Sequence, residues 1–284
     1  MKELVIIGAG PAGISAALYA KRANIDVKVI YMDKSSLNMA HEIENYYGIE
    51  SISGKDLYET GLKQAKRLEI PLIEDEVLGL SYEERFKVIG KKATYEADAL
   101  ILALGAYRNV PPIKKIKEYE GKGVSYCAVC DGFFYRQKKL AVLGNGTYAL
   151  HEAEYLKALS KDIYILTNGK PIEDEALQEY RIIDKKIKDL TGEEKLEKVL
   201  FEDDTSLDID GIFVALGSAG SADLARKMGI LLDESNKIIT DEDMRTNIPG
   251  IYAAGDDTKG MLQVAKAVYE GAKAATDVIR FFKD

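Results

Sequence analysis

Tryptophan is absent from the 284 residues, and cysteine and histidine occur only twice each. A structural zinc site takes four nitrogen or sulfur ligands, and His41 and His151 stand far from the two cysteines in sequence. One chain therefore cannot supply an evident zinc site, although two chains pooling their cysteines leave a zinc-bridged regulatory protein open. Positive charge is also in deficit: 39 Lys and Arg against 47 Asp and Glu give a net charge of -8 and a pI near 5.1. With no basic tail or arm, nucleic acid is not the expected partner. No apolar run approaches the roughly 20 residues of a membrane span, and the chain enters its first strand without a signal-peptide pattern. A soluble, cytoplasmic protein is expected.

The two cysteines it has are two residues apart, in Cys127-Ala-Val-Cys130-Asp131. A dithiol at that spacing closes a small disulfide ring, and a neighbouring carboxylate can manage the thiol proton. In a reducing cytosol a disulfide is more often catalytic than structural. A half zinc site and two inert thiols are the alternatives, and redox chemistry requires an electron source elsewhere in the chain.

That source is legible at the N-terminus. Leu4-Val5-Ile6-Ile7 is a β-rich apolar run that meets Gly8-Ala9-Gly10-Pro11-Ala12-Gly13, after which Ile14, Ala17 and Leu18 recur at helical spacing. Three glycines between a strand and a helix allow a tight turn and close approach to a pyrophosphate at the helix start. Asp33 ends the next strand, at a spacing suited to a ribose hydroxyl, or else is an ordinary turn residue. Ala99 to Gly105 reads as a buried parallel strand, and Pro111-Pro112 marks a domain crossing.

The pattern then recurs. In Leu140-Ala-Val-Leu-Gly144-Asn-Gly146-Thr-Tyr-Ala149, Gly8, Gly10 and Gly13 fall on Gly144, Gly146 and Ala149, and Asp98 to Gly105 is echoed by Asp210 to Gly217. This predicts an α/β protein of two nested Rossmann-like, three-layer nucleotide-binding domains, the second inserted in the first. The expected bounds are 1–112 and 240–284 for the first domain and 113–239 for the insert carrying the cysteines. Tyr252-Ala-Ala-Gly255-Asp256 and a helix from Gln263 close the first domain.

Taken together, Gly8-x-Gly10-Pro11-Ala12-Gly13, Glu44-Asn45 before Gly48, Cys127-x-x-Cys130-Asp131 and Tyr252 to Asp256 resemble a low-molecular-weight thioredoxin reductase over essentially the whole chain. The resemblance implies an FAD-dependent oxidoreductase and homodimer that passes electrons through flavin to the disulfide and on to thioredoxin. Gly8, Gly10, Pro11, Ala12 and Gly13 would hold the FAD pyrophosphate, Asp33 the adenosine end and Asn45 the flavin end. Gly255 and Asp256 would meet the ribityl chain, and Gln263, Val264 and Ala265 the isoalloxazine. Cys130 would face the flavin, Cys127 would attack thioredoxin, and Asp131 would act as acid and base.

The second turn departs from that family. Members using NADPH carry basic residues after the next strand, and a dianionic phosphate favours arginine forks. Here Ile163 to Leu166 runs into Thr-Asn-Gly-Lys170-Pro-Ile-Glu173-Asp174-Glu175, with no arginine between Arg136 and Arg181. Reduced ferredoxin is therefore the expected donor, docking on lysines near 91, 114, 138 and 185. NADPH, a deazaflavin donor, or a glutaredoxin-like or peroxiredoxin acceptor are the alternatives.

Overall fold

The computed structural model describes residues 2–33, 35–105, 111–126, 128–216 and 220–283, without the side chains of Ser36, Met39, Val129 and Cys130. In chain order the elements begin β1 (Glu3–Ile7), α1 (Pro11–Arg22), β2 (Asp26–Tyr31), α2 (Gly54–Arg67), β3 (Leu72–Glu74), β4 (Val77–Tyr82), β5 (Phe86–Gly90), β6 (Thr94–Ala97) and β7 (Ala99–Leu102). They continue as β8 (Val124–Ser125), α3 (Ala128–Asp131), β9 (Lys139–Leu143), α4 (Thr147–Lys157), β10 (Asp162–Leu166) and β11 (Arg181–Ile183). After β12 (Ile187–Thr191), β13 (Lys198–Phe201), β14 (Ser206–Asp208) and β15 (Gly211–Val214) come α5 (Ser221–Lys227), β16 (Ile251–Ala253) and α6 (Val264–Phe281).

Two compact units result: Met1–Tyr107 with Gly220–Asp284, and Arg108–Ala219. In the first, a parallel sheet runs β16-β7-β1-β2-β3. Its central strands are continuous apolar runs, Leu4 to Ile7 and Ala99 to Leu102, buried on both faces, and Leu4, Ile6, Ala99 and Ile101 join one core with α1, α2 and α6. The second unit repeats the plan as β11-β10-β9-β15-β8, again parallel. Each unit adds a three-stranded antiparallel sheet, β4-β5-β6 and β12-β13-β14. The nested α/β architecture is the one expected, but the β12 to β14 meander lacks any motif in the sequence and was not anticipated.

The internal repeat extends to single hydrogen bonds. Asp98 Oδ2 accepts from the Glu3 amide at 2.7 Å while the Asp98 amide donates to the Glu3 carbonyl at 2.8 Å. Asp210 Oδ2 accepts from the Lys139 amide at 3.0 Å, and the Asp210 amide donates to the Lys139 carbonyl at 2.8 Å. In each unit an aspartate before the returning strand therefore fastens the start of the first strand and sets the register of the pair.

Helix α1 begins where Pro11 presets the first turn and ends in Lys21 and Arg22, which suit the negative helix end. It packs on α6 through small residues: a Cβ on Gly271 would fall 2.0 Å from the Ala12 carbonyl oxygen. The chain returns to the first unit at 219/220, earlier than the 239/240 read from sequence, and leaves it at 107/108 where 112/113 was expected. The reason is α5, which joins the first unit's β4: Lys227 Nζ donates to the Leu78 carbonyl at 3.2 Å. The segment after it is tied in by the Ile238–Thr258 bridge.

Candidate functional site

In the first unit the glycine turn is built by steric demand. Gly8 has φ 111°, and a Cβ there would lie 2.1 Å from the Ala103 carbonyl oxygen; one on Gly13 would lie 1.9 Å from the Gly8 carbonyl oxygen. These two glycines let the strand, turn and helix close on one another. Gly10 differs, since a Cβ there would meet nothing within 4 Å. The turn presents open space beside the start of α1, whose first amides have no side-chain cap, which is the arrangement that receives a pyrophosphate.

The other first-unit candidates come to the same end of the sheet. Asp33 follows β2, where the buried Tyr58 hydroxyl hydrogen-bonds its carboxylate; burial and then the Asp33 charge hold that phenol above its ordinary range. Gly255 follows β16, and a Cβ on it would lie 2.9 Å from the Ala12 Cβ, so the Gly255–Asp256 turn abuts the Pro11–Ala12 corner. Asn45 Nδ2 donates to Gln263 Oε1 at 3.0 Å, joining two candidates 218 positions apart. Val264 opens α6, and Ala265 is exposed behind it. Glycine cradle, ribose-side carboxylate and an amide pair at the far end fit an extended dinucleotide such as FAD.

One part of this site has no sequence motif. Lys266 and Glu270, spaced like an ordinary surface i,i+4 pair, are 9% and 7% exposed. Lys266 Nζ donates to the Gly255 carbonyl at 2.7 Å and to Thr258 Oγ1 at 2.9 Å. Glu270 Oε2 accepts from the Gly255 amide at 2.8 Å and from Thr258 Oγ1 at 2.7 Å. A buried ion pair is maintained only when its remaining donors and acceptors are also satisfied; here those groups are the turn, so α6 holds the Gly255–Asp256 turn in place.

In the second unit Asp131 ends α3, and its Oδ2 accepts from the Ser125 hydroxyl at 2.6 Å. Cys127 and the side chain of Cys130 lie outside the described residues. Between them the Ala128 amide donates to Glu152 Oε2 at 2.8 Å, and His151 Nδ1 stands 3.4 Å from the other oxygen. Glu152 is 1% exposed on α4. Two carboxylates, Asp131 and Glu152, thus flank the cysteine motif, and only the first was read from the sequence.

The second glycine turn has the same frame with a different occupant. A Cβ on Gly144 would lie 2.2 Å from the Ala215 carbonyl oxygen, matching Gly8 and Ala103. Where Gly10 faces open space, however, a Cβ on Gly146 would lie 3.3 Å from Glu173 Oε2. Asn145 Nδ2 donates to Glu173 Oε1 at 3.1 Å and to the Pro171 carbonyl at 2.8 Å, and the Glu173 amide donates to the Asn145 carbonyl at 2.8 Å. Thr147 Oγ1 donates to Asp174 Oδ2 at 3.0 Å. Two of the chain's own carboxylates therefore stand at the start of α4, where a phosphate would otherwise bind, and repel one. Arg181, at the edge of this sheet, is engaged with Asp162 at 2.7 Å and the Tyr164 hydroxyl at 3.1 Å.

Comparison with known proteins agrees with this architecture. The description "Pyridine nucleotide-disulphide oxidoreductase" matches residues 2–271. The thioredoxin reductase of Listeria monocytogenes is 33% identical over 99% of this chain and 94% of its own length. Among solved structures, the atypical thioredoxin reductase TRi from Desulfovibrio vulgaris Hildenborough is 40% identical with a TM-score of 0.93, covering 100% of this chain and 98% of that one. A ferredoxin-flavin thioredoxin reductase from Clostridium acetobutylicum is 31% identical with a TM-score of 0.73, covering 100% and 99%. With its open glycine cradle suited to FAD, the chain belongs to the pyridine nucleotide-disulphide oxidoreductase family, beside the low-molecular-weight thioredoxin reductases, and is an FAD flavoprotein.

Proposed function

We propose that the protein is a homodimeric, cytoplasmic thioredoxin reductase whose reducing equivalents come from reduced ferredoxin and not from a pyridine nucleotide. The observation that carries the choice of donor is Glu173 at the second glycine turn, hydrogen-bonded to Asn145 beside Gly146. A nucleotide phosphate entering there meets two carboxylates, and Arg181, the first arginine after this turn, is engaged with Asp162 and Tyr164. The lysine clusters contribute less: Lys185 pairs with Asp203 at 2.7 Å, Lys188 with Asp204 at 2.7 Å and Lys115 with Asp189 at 3.7 Å, which lowers the net charge they offer to an acidic donor. The similar Clostridium acetobutylicum protein, named for ferredoxin and flavin, is consistent with this reading.

In this reading Gly8, Gly10, Pro11, Ala12 and Gly13 hold the pyrophosphate, Asp33 the ribose, Gly255 and Asp256 the ribityl chain, and Asn45, Gln263, Val264 and Ala265 the ring end. An FAD held by these residues would supply the redox chemistry that links a one-electron donor to the two-electron reduction of the Cys127–Cys130 disulfide. Reduction of that disulfide takes two electrons and two protons, and Asp131, oriented by Ser125, manages the proton on the thiol nearest it. The Cys127 thiolate then attacks the disulfide of thioredoxin, and Cys130 resolves the mixed disulfide to release the dithiol product.

Anaerobic reduction tests the donor. Bleaching of the flavin absorbance by reduced ferredoxin, with none by NADPH or NADH, is the expected result. Rapid bleaching by NADPH alone would overturn the assignment of the second fold.

A further inference from the structure

The turn proposed for the ribityl chain, Gly255–Asp256, has four backbone polar groups, and charged side chains take three of them. Lys266 Nζ donates to the Gly255 carbonyl at 2.7 Å, Glu270 Oε2 accepts from the Gly255 amide at 2.8 Å, and Lys237 Nζ donates to the Asp256 carbonyl at 2.5 Å. The fourth group, the Asp256 amide, makes no hydrogen bond among the described residues. Thr258 joins the two charges of α6: its Oγ1 accepts from Lys266 at 2.9 Å and donates to Glu270 at 2.7 Å, and its carbonyl accepts from Lys266 at 3.3 Å. The whole hydrogen-bonding capacity of the Lys266 ammonium is thus directed at residues 255–258.

Lys266 and Glu270 are both more than nine-tenths buried. The chain between the turn and α6 passes over the lysine stem at Gly260, which has φ 126° and where a Cβ would fall 2.9 Å from Lys266 Cε. Taking two charges out of water costs about as much as their attraction returns, and well-packed apolar residues of similar volume serve a fold as well or better. If α6 needed only to pack against the turn, apolar side chains would do it. What they cannot do is fix the direction of a peptide group. A trans peptide sets its N–H opposite its C=O, so Lys266, by holding the Gly255 carbonyl, turns the Asp256 amide away from the buried pair.

We infer that Lys266 and Glu270, together with Lys237, are positioning residues for the cofactor: they hold the Gly255–Asp256 peptide in one orientation and leave its amide to an oxygen acceptor of FAD. The three side chains touch the turn and not the cofactor. Their effect is to order the turn before FAD arrives, which raises affinity because less freedom is lost on binding. The turn abuts the glycine cradle, since a Cβ on Gly255 would lie 2.9 Å from the Ala12 Cβ, so its orientation bears on a ligand lying along that cradle. The inference rests on the reading of Gly255 and Asp256 as part of the FAD site and adds to it the residues that shape it.

Flavin titration of the full-length apoprotein, beside its urea denaturation, tests the role. Lys266→Met with Glu270→Leu removes both charges and nearly keeps the volume. The denaturation midpoint of this double variant should stay near that of the wild type while its FAD affinity falls about tenfold, the worth of one charge-assisted hydrogen bond. The visible circular dichroism of its bound flavin should also change, because the ribityl side is held less firmly. Lys237→Met, at a partly exposed position, should weaken FAD binding to a smaller degree and carries the test if the double variant folds poorly. Wild-type affinity in a folded double variant, or in Lys237→Met where the double variant does not fold, overturns the positioning role. So does a loss of affinity no larger than the loss of apoprotein stability, which would make the pair a support of the fold alone. Asp256→Ala separates this inference from the site on which it rests. If Asp256→Ala binds FAD as tightly as the wild type, the turn is not part of the FAD site and both readings fail; if it binds weakly and the double variant does not, the positioning role alone fails.

Discussion

Glu152 Oε2 accepts a 2.8 Å hydrogen bond from the Ala128 amide, which fastens a buried carboxylate of α4 to the backbone one residue past Cys127. A negative charge near a dithiol disfavours its thiolate and makes the pair a stronger reductant. In Glu152→Gln the acceptor remains and the charge goes. The dithiol–disulfide midpoint is expected to move upward by about 30 mV, a tenfold change in the equilibrium for a two-electron couple. Redox titration against a thiol buffer, with alkylation to trap the dithiol, measures it; a superimposable titration would remove Glu152 from the chemistry.

Asp131 and Ser125 make a second, separable pair. Asp131→Asn removes a proton carrier and should lower thioredoxin-linked turnover by about 10²-fold, at the lower end of what general acid–base catalysis contributes. Ser125→Ala keeps the carboxylate and removes the 2.6 Å bond that orients it, and should cost less. Both variants should retain stoichiometric flavin. A loss of turnover in Ser125→Ala equal to that in Asp131→Asn would assign the effect to the fold of α3.

Gly10 and Gly13 separate ligand from fold. Gly13→Ala drives a Cβ to 1.9 Å from the Gly8 carbonyl oxygen and should prevent a stable first unit. Gly10→Ala meets no protein atom within 4 Å, so the apoprotein should unfold at the wild-type denaturant concentration while FAD affinity falls about tenfold or more. Equilibrium denaturation of apoprotein beside flavin titration distinguishes the two, and equal FAD affinity in Gly10→Ala would place the pyrophosphate elsewhere.

Much of this was legible in sequence because the decisive patterns are local. Strand, glycine turn and helix occupy some fifteen consecutive residues, and their recurrence at Gly144 and Gly146 exposes the nesting without any tertiary information. What sequence hid are contacts between residues far apart. Glu173 follows a strand in an acidic run that reads as a solvated loop, yet it reaches back 28 positions to Asn145. Lys266 and Glu270 have the spacing of a surface pair, and only the turn at Gly255 and Thr258 explains why they are buried. The early return of α5 was missed because Ala222, Leu224 and Ala225 carry apolar spacing but nothing to say which of two similar sheets they cover.

The carboxylates at the start of α4 predict an effect on stability as well as on binding. Negative charge near a helix N-terminus contributes about 0.3–1 kcal/mol per group. Glu173→Gln with Asp174→Asn should therefore lower the stability of the second unit by about 0.6–2 kcal/mol, read by urea denaturation. Calorimetry with NADPH should show no binding to the wild type. A wild type that binds NADPH as tightly as the double variant would mean that these carboxylates do not guard the turn.

Asp257 gives a pH dependence of definite sign. Its pKa rises from an ordinary 3.8 to about 6 because burial penalises the charge. Between those values the folded protein holds a proton that the unfolded chain has released, so stability is fully present below the lower value and is lost as pH rises through the higher one. The shift corresponds to about 3 kcal/mol. Asp257→Asn carries no charge to bury, and its amide oxygen can still accept from the Leu104 amide, so the variant should escape this loss. Urea denaturation of the FAD-bound protein at pH 5 and at pH 8 should show the wild type losing stability relative to the variant as pH increases. Parallel stability curves for the two proteins would mean that the pKa of Asp257 is the same in the folded and unfolded chain, so that burial does not penalise its charge.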